Sequence, residues 1–228
     1  LKQGLVSVIL PVHNQEDHIG QVVEEYQAAL DLLRTPYELL LVVNASRDKS
    51  GAICARLAKR DRRVRVLNSE LGGWGRAVKL GLSSARGSLL CYTNSSRTSA
   101  ADLACLVLRS ILAPGRAFKA DRRLRESPLR RLGSLLFNLE CRLLLGTRSR
   151  DINGTPKAFP RAFSGLLGLQ RDDDLIDAEF NAICARNQYP LSEVPIFSSR
   201  RHGGRSTTRF KSALKMYFGA FTLLRGLP

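Results

Sequence analysis

The residues best placed to do chemistry in this chain are Asn94, Ser95, Ser96 and Arg97, within the stretch Cys91 to Thr98. They follow Gly87-Ser88-Leu89-Leu90, a short apolar run that reads as a buried strand ending in polar residues. In open α/β sheets, ligands bind at the carboxyl ends of strands. The four residues offer an amide, two hydroxyls and a guanidinium. Neutral oxygens hold a hard divalent cation weakly, whereas a guanidinium clamps phosphate oxygens in pairs. Arg76 and Lys79 lie one helical turn apart behind the turn Gly72-Gly73-Trp74-Gly75 and add two more cations. That turn lacks the G-x-G-x-x-G spacing of a dinucleotide site.

Carboxylates come later in the chain. Asp177 and Glu179 open a helical stretch, Leu175 to Ala185, and a carboxylate within reach of a hydroxyl can serve as general base. The competing reading is a pair of solvated acids favoured by the helix dipole. That second reading is preferred for the neighbouring Asp172, Asp173 and Asp174. His13 and His18 are not spaced with any cysteine as zinc ligands. Trp74 is as well suited to packing as to stacking on a base.

These residues need a frame, and its class is legible. The 228 residues suffice for one good-sized domain, and no stretch is apolar enough to span a bilayer. Val6 to Val12 is too short for a signal-peptide core and reads as a strand. Five widely spaced cysteines, with no C-x-x-C pair, read as reduced thiols in a cytoplasmic protein. Charge is the outlier. The formal net charge is +16, with arginine well ahead of lysine. That balance favours anionic partners, namely nucleotide phosphates, a membrane surface or nucleic acid. No RNA- or DNA-binding signature accompanies the charge, so nucleic acid is not expected. An arginine-rich solubility surface is the bland alternative.

Strand and helix alternate through the first hundred residues. Val6 to Leu10, Tyr37 to Val43, Val64 to Leu67 and Ser88 to Tyr92 read as strands, with helices over 16–33, 48–58 and 76–85 between them. This is the pattern of a parallel sheet with helices on both faces. The chain then changes character. A helix is expected over 100–111, and Arg122 to Leu145 forms a long basic amphipathic stretch. Its leucines pack on the sheet or lie in a membrane interface with arginines on lipid phosphates. A helix over 175–185, an edge strand Glu193 to Phe197 tolerant of Pro195, a basic loop Arg200 to Arg205 and a terminal helix Phe210 to Leu224 complete the reading. One domain is expected, with a nucleotide-binding half (1–99), an acceptor half (100–209) and a C-terminal helix (210–228).

The order VSVILPVHNQE, LLLVVNASRDKS, LGGWGRAVKLGLSSARGSLLCYTNSSRT, RDINGTPKAF, DLIDAEF, then EVPI with RRHGGRS, resembles an inverting family 2 glycosyltransferase of the GT-A fold. The branch is that of dolichol-phosphate mannose and polyprenyl-phosphate glycosyl synthases. The resemblance implies a mostly parallel central sheet flanked by helices, with a basic helical elaboration. It implies a nucleotide-diphosphate sugar donor, UDP- or GDP-linked. It implies a polyprenyl phosphate or other lipid-linked anion as acceptor, met by a protein peripheral to the inner face of the membrane. Pro11, Val12, His13, Asn14 and Glu16 match the family's first nucleotide turn. Asn44 and Ser46 stand in the second, where the family carries leading aspartates. Gly72, Gly73, Arg76 and Lys79 match the turn near base and phosphates.

The family's Asp-x-Asp aligns with Asn94-Ser95-Ser96, so Asn94 and Ser96 occupy the usual ligand positions for Mg²⁺ or Mn²⁺. Three accounts follow. Arg97, Arg76, Lys79, Arg201 or Arg205 neutralise the diphosphate without metal; substrate oxygens supply most ligands to a cation; or the chain is a silent homologue that binds a nucleotide or a protein. Asp151 and Asn153 match the family's acceptor-side loop, Asp177 and Glu179 its acidic helix start, and Arg201 and Arg205 a loop closing on phosphates.

Overall fold

The computed structural model of the protein describes residues 4–123, 128–197 and 210–226, with side chains for all of these but 128–131, 210–215, 225 and 226. Seven strands form one sheet: β1 (Val6–Val12), β2 (Tyr37–Asn44), β3 (Val64–Ser69), β4 (Leu89–Tyr92), β5 (Ala117–Arg122), β6 (Lys157–Pro160) and β7 (Leu191–Ile196). Their order is β3-β2-β1-β4-β6-β5-β7. β1 to β4 run parallel, β6 opposes both of its neighbours, and β7 is parallel to β5 at the edge. Pro195 thus sits on an edge strand, where its missing N–H costs little. The order reverses between β1 and β4, which opens a crevice at their carboxyl ends.

The helices are α1 (Ile19–Asp31), α2 (Ser50–Arg60), α3 (Trp74–Ser84), α4 (Ala100–Leu112), α5 (Pro128–Leu145), α6 (Ile176–Arg186) and α7 (Phe210–Gly226). In β1 and β2, residues of opposite parity feed opposite cores, as strand alternation requires. Val8, Leu10, Leu39 and Leu41 pack with α1, α2 and α4. Ile9, Leu40 and Val42 pack with α3 and α6. Both faces are covered, so these strands read as continuous apolar runs rather than alternating ones. A third cluster joins Phe137, Cys141 and Leu145 of α5 to Ala178 and Ala182 of α6 and to Ala220 and Leu223 of α7.

The structure corrects the sequence reading at residue 122. The basic stretch is not one helix from Arg122. That residue ends β5, and α5 begins only at Pro128. Proline suits a first helical turn, where its missing donor has no partner in any case. No described helix is long and apolar enough to cross a membrane.

Candidate active site

The carboxyl ends of β1, β2 and β4 carry three turns that are hydrogen-bonded to one another. After β1, His13 Nδ1 donates to the Asn44 carbonyl (2.7 Å), and the Asn14 amide nitrogen donates to Ser46 Oγ (3.2 Å). Asn14 Oδ1 accepts from Arg47 N and Glu16 Oε2 from Lys49 N, both at 2.9 Å. Asn14 and Ala45 adopt left-handed backbone (φ 48° and 49°), a conformation that Asn accepts more readily than Ala. Pro11 and Val12 are buried in β1 beneath these turns.

After β4, Ser95 Oγ donates to Gln15 Oε1 (2.7 Å), and Gln15 Nε2 donates to Ser96 Oγ (3.2 Å). One amide therefore ties two adjacent hydroxyls. Asn94 Oδ1 accepts from Ser96 N (3.0 Å), and Arg97 N closes the turn on the Asn94 carbonyl (3.1 Å). Arg97 itself is half-buried. Ser99 then caps α4: its hydroxyl accepts from Asp102 N and donates to the Asp102 carboxylate.

This donor set does not fit a hard divalent cation. The oxygens at positions 94 and 96 are neutral and already accept hydrogen bonds within the chain. Among the described residues, no group of three or more His, Cys, Asp or Glu could hold a metal.

The glycine turn has a structural reason of its own. Gly73 has φ 149°, and a Cβ there would lie 2.5 Å from the Asp172 carbonyl oxygen. A Cβ on Gly75 would lie 2.3 Å from the Arg171 carbonyl oxygen. The close approach that these glycines permit is thus to the chain's own segment 171–173. Gly72 is not crowded in this way, since a Cβ there would meet only Ala45, at an ordinary 3.8 Å. Asp172, set aside above as a solvated acid, receives Arg76 (2.6 Å) and Lys79 (2.8 Å). Those two cations hold its carboxyl down at about 2.

The acidic start of α6 lies beyond that segment. Asp177 pairs with Lys157 of β6 and accepts from the Tyr92 hydroxyl (3.0 Å). Lys157 is fully buried, and burial pushes its ammonium down to about 8 against the pull of Asp177. Glu179 accepts from the backbone amides of Gln170 (2.8 Å) and Arg171 (2.9 Å). Both carboxylates are therefore engaged inside the fold. Asp151 lies in a separate buried cluster. Arg122 binds both of its oxygens, at 2.7 and 2.8 Å. Glu193 gathers Lys119, the Ser149 hydroxyl and the amides of Arg150 and Asp151. Arg201 and Arg205 fall outside the described residues.

Among the described residues, the buried polar atoms without a hydrogen-bond partner in the chain include Asn44 Oδ1, Trp74 Nε1, Asn153 Oδ1, Arg171 Nε and Asn181 Oδ1. Such atoms are costly unless something satisfies them. Asn44 is the clearest. Its Nδ2 donates to the Gly73 carbonyl (3.2 Å), which leaves the oxygen as a lone acceptor at the end of β2. The sequence reading passed over Gln15 and Lys157. A lysine in the otherwise apolar KAFP strand was the available signal for the second.

Residues 7–152 match the family model described as Glycosyl transferase family 2. The undecaprenyl-phosphate 4-deoxy-4-formamido-L-arabinose transferase of Shewanella sediminis is 25% identical over 228 residues, covering 98% of this chain and 67% of that protein. The uncharacterized glycosyltransferase EpsJ of Bacillus subtilis is 33% identical over 90 residues, covering 40% of this chain and 25% of its own length. The chain thus spans a quarter to two thirds of the length of these relatives. Among solved structures, glucosyl-3-phosphoglycerate synthase of Mycobacterium tuberculosis in complex with Mn²⁺, UDP and phosphoglyceric acid superposes with a TM-score of 0.74. It is 17% identical, with 99% of this chain and 80% of that one covered, a likeness of GT-A fold.

Proposed function

The chain belongs to glycosyl transferase family 2, and from that premise we propose that it moves a sugar from a nucleotide diphosphate to a polyprenyl phosphate. The observation that carries this reading is the engagement of both α6 carboxylates, Asp177 by Lys157 and Glu179 by two backbone amides. A hydroxyl acceptor needs a base within reach. A phosphate arrives ionised and does not. Its oxygen attacks the anomeric carbon in line as the bond to the donor's diphosphate breaks. The nucleoside diphosphate leaves with the electron pair, and the anomeric centre inverts. Asp177 and Glu179 line the reacting cleft in this scheme, and Asp151 and Asn153 flank the acceptor.

On the donor side, the unpaired Asn44 Oδ1 suits a base N–H or ribose hydroxyl of a UDP- or GDP-sugar. Pro11, Val12, His13, Asn14, Glu16, Ser46, Gly72 and Gly73 shape the nucleoside pocket, and Asn94, Ser95 and Ser96 close it. Charge on the departing diphosphate is met by Arg97, Arg76 and Lys79, joined by Arg201 and Arg205. The sugar acceptor of the Shewanella relative, a polyprenyl phosphate by its name, agrees with this reading. So does the UDP held by the mycobacterial neighbour. In this reading the chain meets that acceptor as a peripheral protein at the inner face of the membrane.

The test offers UDP- and GDP-sugars with undecaprenyl phosphate or undecaprenol, each with and without EDTA. Transfer to the phosphate alone, surviving EDTA, is expected. Transfer to the alcohol would restore a base role to Asp177 or Glu179. Loss in EDTA would assign a cation held by substrate oxygens. Tight nucleotide binding without any transfer would favour a silent binding module.

A further inference from the structure

The start of α3 is an anion site that the chain fills itself. Helix N-termini bind phosphate because their first N–H groups lack partners and the helix dipole is positive there. Here Arg76 and Lys79 add two cations on one face of the first turns. The occupant is Asp172. Its carboxylate receives Arg76 at 2.6 Å and Lys79 at 2.8 Å, and its carbonyl accepts from Arg76 N (3.1 Å). Lys79 also donates to the Gln170 carbonyl (2.7 Å). Two further observations point to a ligand at this place. Asn44, at the carboxyl end of β2 and only 7% exposed, holds the Gly73 carbonyl through Nδ2. Among the described residues, its Oδ1 and the Nε1 of Trp74, the first residue of α3, are buried without partners. An acceptor and a donor therefore wait beside the two cations.

We propose that Asp172 holds the place of the donor's diphosphate and is exchanged for it: the phosphate oxygens take Arg76 and Lys79, and Asp172 swings off the start of α3. The hold to be broken is weak. The side chains of Asp172, Arg76 and Lys79 are 48%, 32% and 29% exposed, and ion pairs so open to water contribute little. A diphosphate carries more charge than one carboxylate and offers paired oxygens to a guanidinium. The other end of the segment is firmly anchored. Buried Glu179 accepts from the amides of Gln170 (2.8 Å) and Arg171 (2.9 Å). Arg171 also donates to the Thr222 hydroxyl of α7 (2.7 Å). Asp172 can therefore move while residues 170 and 171 stay in place. Gly73 and Gly75 admit the closed position, since a Cβ on either would strike the carbonyls of Asp172 or Arg171. The inference rests on the donor reading above and adds that the phosphate position is occupied before the donor arrives.

The experiment measures binding of UDP, GDP, uridine and guanosine by calorimetry to wild type, Asp172→Asn and Asp174→Asn. Both aspartates are exposed, so both variants should fold, as thermal unfolding would verify. Asp172→Asn should bind the preferred diphosphate about two- to fivefold more tightly, with its nucleoside unchanged. Asp174→Asn removes the same charge two residues away and should change neither. Trp74 is the single tryptophan, and its emission in unbound Asp172→Asn should approach that of diphosphate-bound wild type. Diphosphate binding that is unchanged or weaker in Asp172→Asn would overturn the proposal, as would emission that stays at the unbound wild-type value. So would an equal gain in Asp174→Asn, which assigns the effect to net charge, or an equal gain for the nucleoside. Wild type that binds neither diphosphate would overturn the donor reading as well. Wild type that binds one, with no gain in the variant, overturns the exchange alone.

Discussion

The two halves of the molecule solve the same problem with opposite materials. At the carboxyl ends of β1, β2 and β4, where ligand contacts are expected, the connecting groups besides the Glu16 and Asp48 carboxylates are neutral. They are the Gln15 amide, the Ser95 and Ser96 hydroxyls and the Asn94 and Asn44 side chains. Around β5, β6 and β7 the connecting groups are ions: Lys119, Arg122, Asp151, Lys157, Asp177 and Glu193. Neutral networks lose less when one member is removed, about 1–3 kcal/mol for a buried group left without a partner. Buried ions lose much, because the partner left behind is a charge without water. Sensitivity to single substitutions should therefore be concentrated in the acceptor half, while the donor half stays free to trade hydrogen bonds with a ligand.

The largest effect belongs to Lys157. Lys157→Ala strands Asp177 and should cost about 3–5 kcal/mol, read from urea unfolding midpoints at constant slope. Lys157→Met/Asp177→Leu removes both charges and should recover most of that loss. If the single change is as mild as a serine deletion on the other side, the contrast between the halves is wrong.

Ser95→Ala sharpens the same contrast from the neutral side. It removes one hydroxyl from a shared amide and strands the buried Gln15 Oε1, and about 1–3 kcal/mol is expected. Adding Gln15→Ala should cost less than the sum of the two singles, because both act in one network. Additive losses would show that the amide and hydroxyls are not coupled.

Asp172 gives the smallest effect on stability. Its ion pairs with Arg76 and Lys79 are half-exposed, so under about 1 kcal/mol is expected. The sign follows from its lowered pKa. Arg76 and Lys79 stabilise the ionised form, so the contribution is present above the ordinary carboxyl value of 3.8 and fades as pH falls toward about 2. Asp172→Asn should lose that acid-side slope in unfolding titrations. It should also bind nucleoside diphosphate more tightly, since two cations are released from an internal competitor.

Much of the frame was legible in the sequence. The β-branched runs and intervening helical periods set the parallel half, and Pro195 marked an edge. That residues 94–96 offer only neutral side-chain oxygens was readable, because it depends on residue type alone. The engagement of Asp177 was not, since Lys157 is distant in sequence and reaches it only through the pairing of β6 with β4. Arg122 was misassigned to a helix because basic residues fit an amphipathic pattern as well as a strand end. Which side of α5 meets the core was beyond periodicity: Phe137, Cys141 and Leu145 do, while Leu132, Leu135 and Leu143 stay exposed. A leucine stripe reports that a helix has an apolar side, and it says nothing about which of two apolar sides meets the core.

The Gln15 amide also bears on anyone who would install a cation site here. Asn94→Asp keeps its bond to the Ser96 amide, so that step is mild. Ser96 is different: its side chain is buried and directed at Gln15, so a carboxylate placed there is drawn inward to the amide and away from a ligand. Gln15 must be rebuilt before position 96 can change with profit, and the intermediate with one carboxylate and the old amide is worse than either end. Installing such a site therefore runs through a valley, and the order of substitutions decides whether it can be crossed.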